Sequence, residues 1–157
     1  MKIELWAIGK TAFPYLAEGI EIYQKRIVHY NAFEIITLPD IKNAGNLPPQ
    51  QLKIKEGENI LAKLLPTDLL IILDERGQQP DSVALARHIE QWLQGSHRRI
   101  IFLIGGAFGF SPAVYERANH QIGLSRLTFS HQMVRLFVVE QIYRAMTILR
   151  GESYHNS

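Results

Sequence analysis

Apolar positions change period along this chain. Runs dense in aliphatic and β-branched residues occupy 3–8, 33–38, 69–73 and 100–104, with a shorter run at 122–124. Such runs predict strands. Between them, residues 15–28, 51–65, 82–93 and 112–118 carry apolar positions at helical spacing; in the third of these, Leu85, Ile89, Trp92 and Leu93 share one face. Strand and helix alternate, which predicts an α/β fold with a mostly parallel sheet flanked by helices. Ser111-Pro112 reads as an N-cap with proline at the first helical position, and Gly95 suits the end of the third helix.

The last helical segment, 132–150, departs from this pattern because most of its circumference is apolar. A helix so broadly apolar must be covered on both sides, inside its own domain or by a second subunit, which points to a homodimer. Arg135, Glu140, Gln141 and Arg144 interrupt it as a polar stripe, and the last pair has the i,i+4 spacing of an internal ion pair. Gly151 fits a left-handed cap. Residues 42–49, with Asn43, Gly45, Asn46 and two prolines, form a polar loop, and neither a repeat nor an interdomain linker interrupts the chain. A single domain over residues 1–157 is expected.

Composition narrows the chemistry. The 157 residues include 46% hydrophobic residues and no cysteine, so disulfides, thiolate metal sites and cysteine nucleophiles are excluded. No apolar run reaches the ~20 residues of a membrane span, and the N-terminus lacks the basic and apolar regions of a signal peptide, so a cytoplasmic protein is expected. Seventeen Lys and Arg against fifteen Asp and Glu leave a formal charge of +2 without a basic block. Binding RNA by counterion release needs clustered cations. An RNA substrate would therefore be recognised by shape, assembly or a partner surface. The six histidines show no H-x-x-x-H or H-E-x-x-H spacing, and no metal is expected.

Three segments combine chemistry with a position where a ligand could lie. Ile104-Gly105-Gly106-Ala107-Phe108-Gly109 leaves a strand and enters a helix, and bare glycine backbone permits close ligand approach; a tight connection without a ligand is the plain alternative. The spacing fits neither the dinucleotide nor the Walker fingerprint. Leu73-Asp74-Glu75-Arg76-Gly77 sits at another strand end, as a binding edge or a solvated loop. Leu124-Ser125-Arg126-Leu127-Thr128-Phe129-Ser130-His131 concentrates hydroxyls and a histidine before the last helix, where Ser130 suits an N-cap and His131 could be an ordinary surface residue. The tail 152–157 carries Tyr154 and His155, suited to stacking on a base and to hydrogen bonding, although such tails usually fray.

In that order and spacing, these segments, with Glu140-Gln141-Ile142-Tyr143-Arg144-Ala145 and Gly151-Glu152-Ser153-Tyr154-His155, resemble the ribosomal RNA large subunit methyltransferase H family. That family belongs to the SPOUT, or α/β-knot, methyltransferases, and the resemblance covers essentially the whole chain. It implies a SPOUT-type fold with a C-terminal trefoil knot, and a homodimer using S-adenosylmethionine to methylate N3 of a pseudouridine in 23S rRNA within the assembled 70S ribosome. Carried over by position, Leu73, Gly105, Gly106, Ser125, Arg126, Leu127, Thr128, Phe129 and Ser130 would contact the cofactor. His131, Arg135, Tyr154 and His155 would face the RNA and carry catalysis, with the two histidines as candidate bases. Ser130 stands where relatives commonly have proline, and Asn156 where a basic residue commonly follows Tyr-His; the second departure motivates an alternative, a non-catalytic ribosome-binding or assembly factor of the same fold. Methylation at C5 of uridine by the usual covalent route needs a cysteine, and this chain has none.

Overall fold

A computed structural model of the chain describes residues 1–156, so Ser157, the end of the expected domain and tail, lies outside the described residues. Five strands form one sheet in the order β2-β1-β4-β3-β5. They are β1 (Lys2–Ile8), β2 (Phe33–Leu38), β3 (Leu69–Gln78), β4 (Arg99–Ile104) and β5 (His120–Ile122). Every pairing is parallel. The central strands β4 and β3 are buried nearly throughout, from Ile100 to Ile104 and from Leu69 to Ile72, because helices cover both sheet faces.

The helices are α1 (Pro14–Ile27), α2 (Pro49–Lys63), α3 (Ser82–Gln94), α4 (Pro112–Arg117) and α5 (Met133–Leu149). Helices α1, α3 and α5 enclose one core, in which Leu16, Ile20, Leu85, Ile89, Val139 and Ile142 meet Ile3, Leu5, Ile71 and Phe102 of the sheet. On the opposite face, Ile60 of α2 and Val114 of α4 pack on Trp6, Ile72, Ile101 and Leu103. Alternate residues of one strand thus feed opposite cores.

Most boundaries lie within two residues of the sequence expectation, and Ser111 caps α4 through the Val114 N–H. Gly95 closes α3 as expected, with extended backbone, and two details differ. An additional cap, Asp81, starts α3 by accepting from the Ala84 N–H at 2.8 Å. The expected strand at 122–124 falls at His120–Ile122, while β3 runs on to Gln78 with an irregularity. Ile122 pairs with both Leu73 and Gln78, so residues 74–77 bulge out of the ladder. Gly77 permits this, because a β-carbon there would lie 2.7 Å from the main chain of β5. The bulge carries Asp74, Glu75 and Arg76 to the rim of the sheet.

Candidate functional site

Open parallel sheets place ligands beyond the carboxyl ends of their strands. Here a cavity of about 480 Å³ lies beyond the ends of β3 and β4. Residues 73–76 form one wall, the glycine turn 104–110 a second, and the loop between β5 and α5 a third, with Tyr115 of α4 beneath. Of the residues expected at the cofactor, Leu73, Gly105, Gly106, Ser125, Leu127, Thr128 and Phe129 line it together, and His131 joins them. Arg126 and Ser130 belong to the same loop but lie outside the lining; Ser130 accepts from the Met133 N–H at 3.0 Å, the capping role its position suggested.

The strand-end acid is tightly held. Asp74 accepts from the Tyr115 hydroxyl and, at 2.8 Å, from the Arg76 amide. The Arg76 guanidinium also reaches Tyr115 Oη at 2.7 Å. Burial pushes the Asp74 carboxyl up, but these donors outweigh it and hold the group below its ordinary value. Burial and the Asp74 contact raise the Tyr115 phenol. Beside this pair, the Thr128 hydroxyl donates to Glu75 Oε2 at 2.6 Å and joins two walls of the cavity.

Arg135 lies outside the cavity lining and is only 4% exposed. Its guanidinium donates to the carbonyls of Ile8 at 2.7 Å, Gly9 at 2.8 Å and His131 at 3.1 Å. The arginine thereby fastens the start of α5 to the end of β1, and burial lowers its pKa.

Tyr154 and His155 line no part of their own chain's cavity. They rest against α1 and α5. Tyr154 Oη donates to Glu140 Oε1 at 3.0 Å and lies 3.2 Å from Tyr23 Oη. Glu140 and Arg144 form the i,i+4 ion pair at 2.5 Å, and Arg144 reaches His155 Nδ1 at 3.1 Å. Burial, followed by the hydrogen bonds to Tyr23 and Glu140, pushes the Tyr154 phenol up. Gly151, with φ of +68°, turns the chain into this position.

Sequence pattern did not find Tyr115, the Glu75–Thr128 link or Glu56, whose carboxylate lies behind Gly106. Only Asp74 and Glu75 carried a signal, their place at a strand end. Among the described residues, no group of three His, Asp or Glu side chains is placed to hold a metal, and no helix is long and apolar enough to cross a membrane.

A family model described as "Predicted SPOUT methyltransferase" matches residues 1–155, which places the chain in a class of methyltransferases. The chain belongs to that family. Over its length it is similar to proteins named "Ribosomal RNA large subunit methyltransferase H": that of Parabacteroides distasonis is 49% identical, covering 99% of each chain. The proteins of that name from Cytophaga hutchinsonii, 49% identical over 99% of this chain and 100% of the relative, and from Porphyromonas gingivalis, 46% identical over 99% of each, agree.

Proposed function

We propose that this methyltransferase moves the methyl group of S-adenosylmethionine to N3 of a pseudouridine in 23S rRNA, acting as a homodimer on the assembled 70S ribosome in the cytoplasm. The observation that carries the reading is the convergence of Leu73, Gly105, Gly106, Ser125, Leu127, Thr128 and Phe129 on one cavity. Its volume of about 480 Å³ falls in the ~300–1,000 Å³ range of small-molecule sites. The donor set fits: Leu73, Ile104 and Leu124 offer apolar surface to a nucleoside, the glycine turn offers bare main chain, and Asp74 and Glu75 place negative charge at the rim for a cationic ligand. A β-carbon on Gly106 would meet the Glu56 carboxylate at 2.6 Å, so a side chain there would displace that carboxylate.

S-adenosylmethionine supplies an activated methyl group, so this chain's residues need to align the target nitrogen and receive its proton. Alignment is the larger effect, since near-attack positioning can lower a barrier by ~7 to 11 kcal/mol. In this reading the 125–129 loop and the glycine turn fix the donor. Ser130 and Arg135 set the start of α5 and thus His131, while Arg126, Tyr154 and His155 meet the RNA. The tail stands away from its own cavity, so its approach to a target base belongs to the assembled dimer. The outward side of α5 supports such an assembly: Met133 and Phe137 are 38% and 43% exposed, Phe129 packs on Phe137 with ring centroids 5.1 Å apart, and Leu127 is 73% exposed. The C-terminal knot is part of the same proposal and rests on the family resemblance.

Incubating the protein with labelled S-adenosylmethionine and ribosomes that lack the modification tests this directly. Label in large-subunit rRNA is the expected outcome. Unlabelled rRNA despite S-adenosylhomocysteine binding would favour a non-catalytic ribosome-binding factor, and tight binding of a dinucleotide in its place would exclude the cofactor assignment.

A further inference from the structure

Phe108 stands on the glycine turn and lines the cavity, yet it is 53% exposed. The main chain fixes the turn that carries it: the Gly109 N–H donates to the Gly106 carbonyl at 3.2 Å, and Gly109, with φ of +86°, brings the chain back. The other aromatic rings of the lining are already packed. Phe110 meets Tyr115 edge-on with centroids 5.8 Å apart, and Phe129 rests on Phe137. Among the described residues, Phe108 and Leu127 are the large apolar side chains that line the cavity and stay exposed, whereas Ile104 and Phe110 are buried. A single exposed apolar side chain is ordinary on a protein surface. One fixed at the mouth of a cavity, with a ring face uncovered, offers a planar contact to whatever arrives from solvent.

We propose that Phe108 is the ring on which the target base stacks as it enters the mouth of the cavity, a substrate-positioning residue for methyl transfer. This rests on the methyl-transfer reading above. N3 of a pyrimidine lies on its Watson–Crick edge, and the electron pair that accepts the methyl group lies in the plane of the ring. The donor must therefore be met edge-on, which leaves both faces of the base free for protein contacts. Splayed RNA bases are held by their faces against aromatic side chains. The Phe108 ring replaces the stacking that the base gives up when it leaves its neighbours. The interior of the cavity, lined by Leu73, Ile104 and Phe110, is left to the nucleoside of the cofactor.

Steady-state methyl transfer to ribosomes that lack the modification, beside calorimetry with S-adenosylhomocysteine, tests this in wild type, Phe108→Ala, Phe108→Leu and Phe108→Trp. Losing one base–aromatic stack costs about 5- to 100-fold, so Phe108→Ala should lower kcat/KM for ribosomes by at least about fivefold, with the S-adenosylhomocysteine Kd within about twofold of wild type. Phe108→Leu keeps apolar bulk without a π face, so Phe108→Trp should exceed it in kcat/KM by at least about threefold. A smaller loss in Phe108→Ala overturns the proposal. Equal values for Phe108→Leu and Phe108→Trp also overturn it, since the contact would then be merely apolar. A loss of S-adenosylhomocysteine affinity that matches the loss of transfer would assign the ring to the cofactor wall and overturn it as well. Should Phe108→Ala lack a cooperative melt, the comparison of Phe108→Trp with Phe108→Leu decides. Absent transfer by the wild type would remove the methyl-transfer reading itself, and the stacking role with it.

Discussion

Gly106 shows how little room the cavity leaves at single atoms. Its β-carbon position is already taken by the Glu56 carboxylate at 2.6 Å, and the opposite side faces the cavity. Gly106→Val should therefore abolish S-adenosylhomocysteine binding in calorimetry while a cooperative melt persists; retained affinity would remove this glycine from the site. At the other end of the sheet, buried Asp68 accepts from Arg99 Nη2 at 2.6 Å and Nε at 2.9 Å. Arg99 keeps 23% of its side chain exposed, so Asp68→Asn should lower unfolding free energy by about 2 kcal/mol in urea titration, less than a fully buried pair would give. Burial pushes Asp68 up, but Arg99 and the Leu65 amide outweigh it, and Asp74 behaves alike; both have lowered folded-state values. The stability they add is complete above the unfolded carboxyl value of about 3.9 and is lost as pH falls through the lower folded values. The urea midpoint should accordingly drop below about pH 4. Sequence exposed Gly106 and Asp74 because glycine clusters and strand-end acids have local signatures. Tyr115 had none, since it meets Asp74 only through tertiary packing.

At the level of elements, apolar period located the strands and helices because the central strands carry unbroken apolar runs, residues 69–73 of β3 and 100–104 of β4. It failed where backbone pairing overrides composition. The β3 extension through Asp74, Glu75, Arg76 and Gly77 is polar, and it exists because the strand bulges and rejoins β5 at Gln78. That bulge presents Glu75 to Thr128, a link between elements remote in sequence. Thr128→Val removes the hydroxyl and keeps the shape. It should weaken S-adenosylhomocysteine about fivefold in calorimetry, the effect of about one hydrogen bond, with little change in Tm. Helix α5 was legible as over-apolar, and its buried side against α1 and α3 accounts for Val138, Val139, Ile142, Ala145 and Met146. Arg135 was legible only as a charge in an apolar helix; its hold on the Ile8 and Gly9 carbonyls needed coordinates.

For the whole molecule, the cavity and the aromatic side of α5 share the segment that begins at Leu127, so the proposed cofactor site and the proposed dimer surface are neighbours. Sedimentation equilibrium at micromolar concentration should show twice the 18.0 kDa chain mass; a persistent single-chain species would exclude the dimer. The family membership and the α/β architecture were legible because the carrying motifs lie in order along nearly the full chain. The dimer proposed above was legible only as an over-apolar last helix, since periodicity describes one chain at a time. The central claim, methyl transfer to N3 of a pseudouridine in large-subunit rRNA, is tested most directly by mass spectrometry of rRNA nucleosides. Ribosomes lacking the modification are treated with the protein and S-adenosylmethionine before digestion. The account predicts one new N3-methylpseudouridine per large subunit; unchanged nucleosides, or a methyl group on another base, would contradict it.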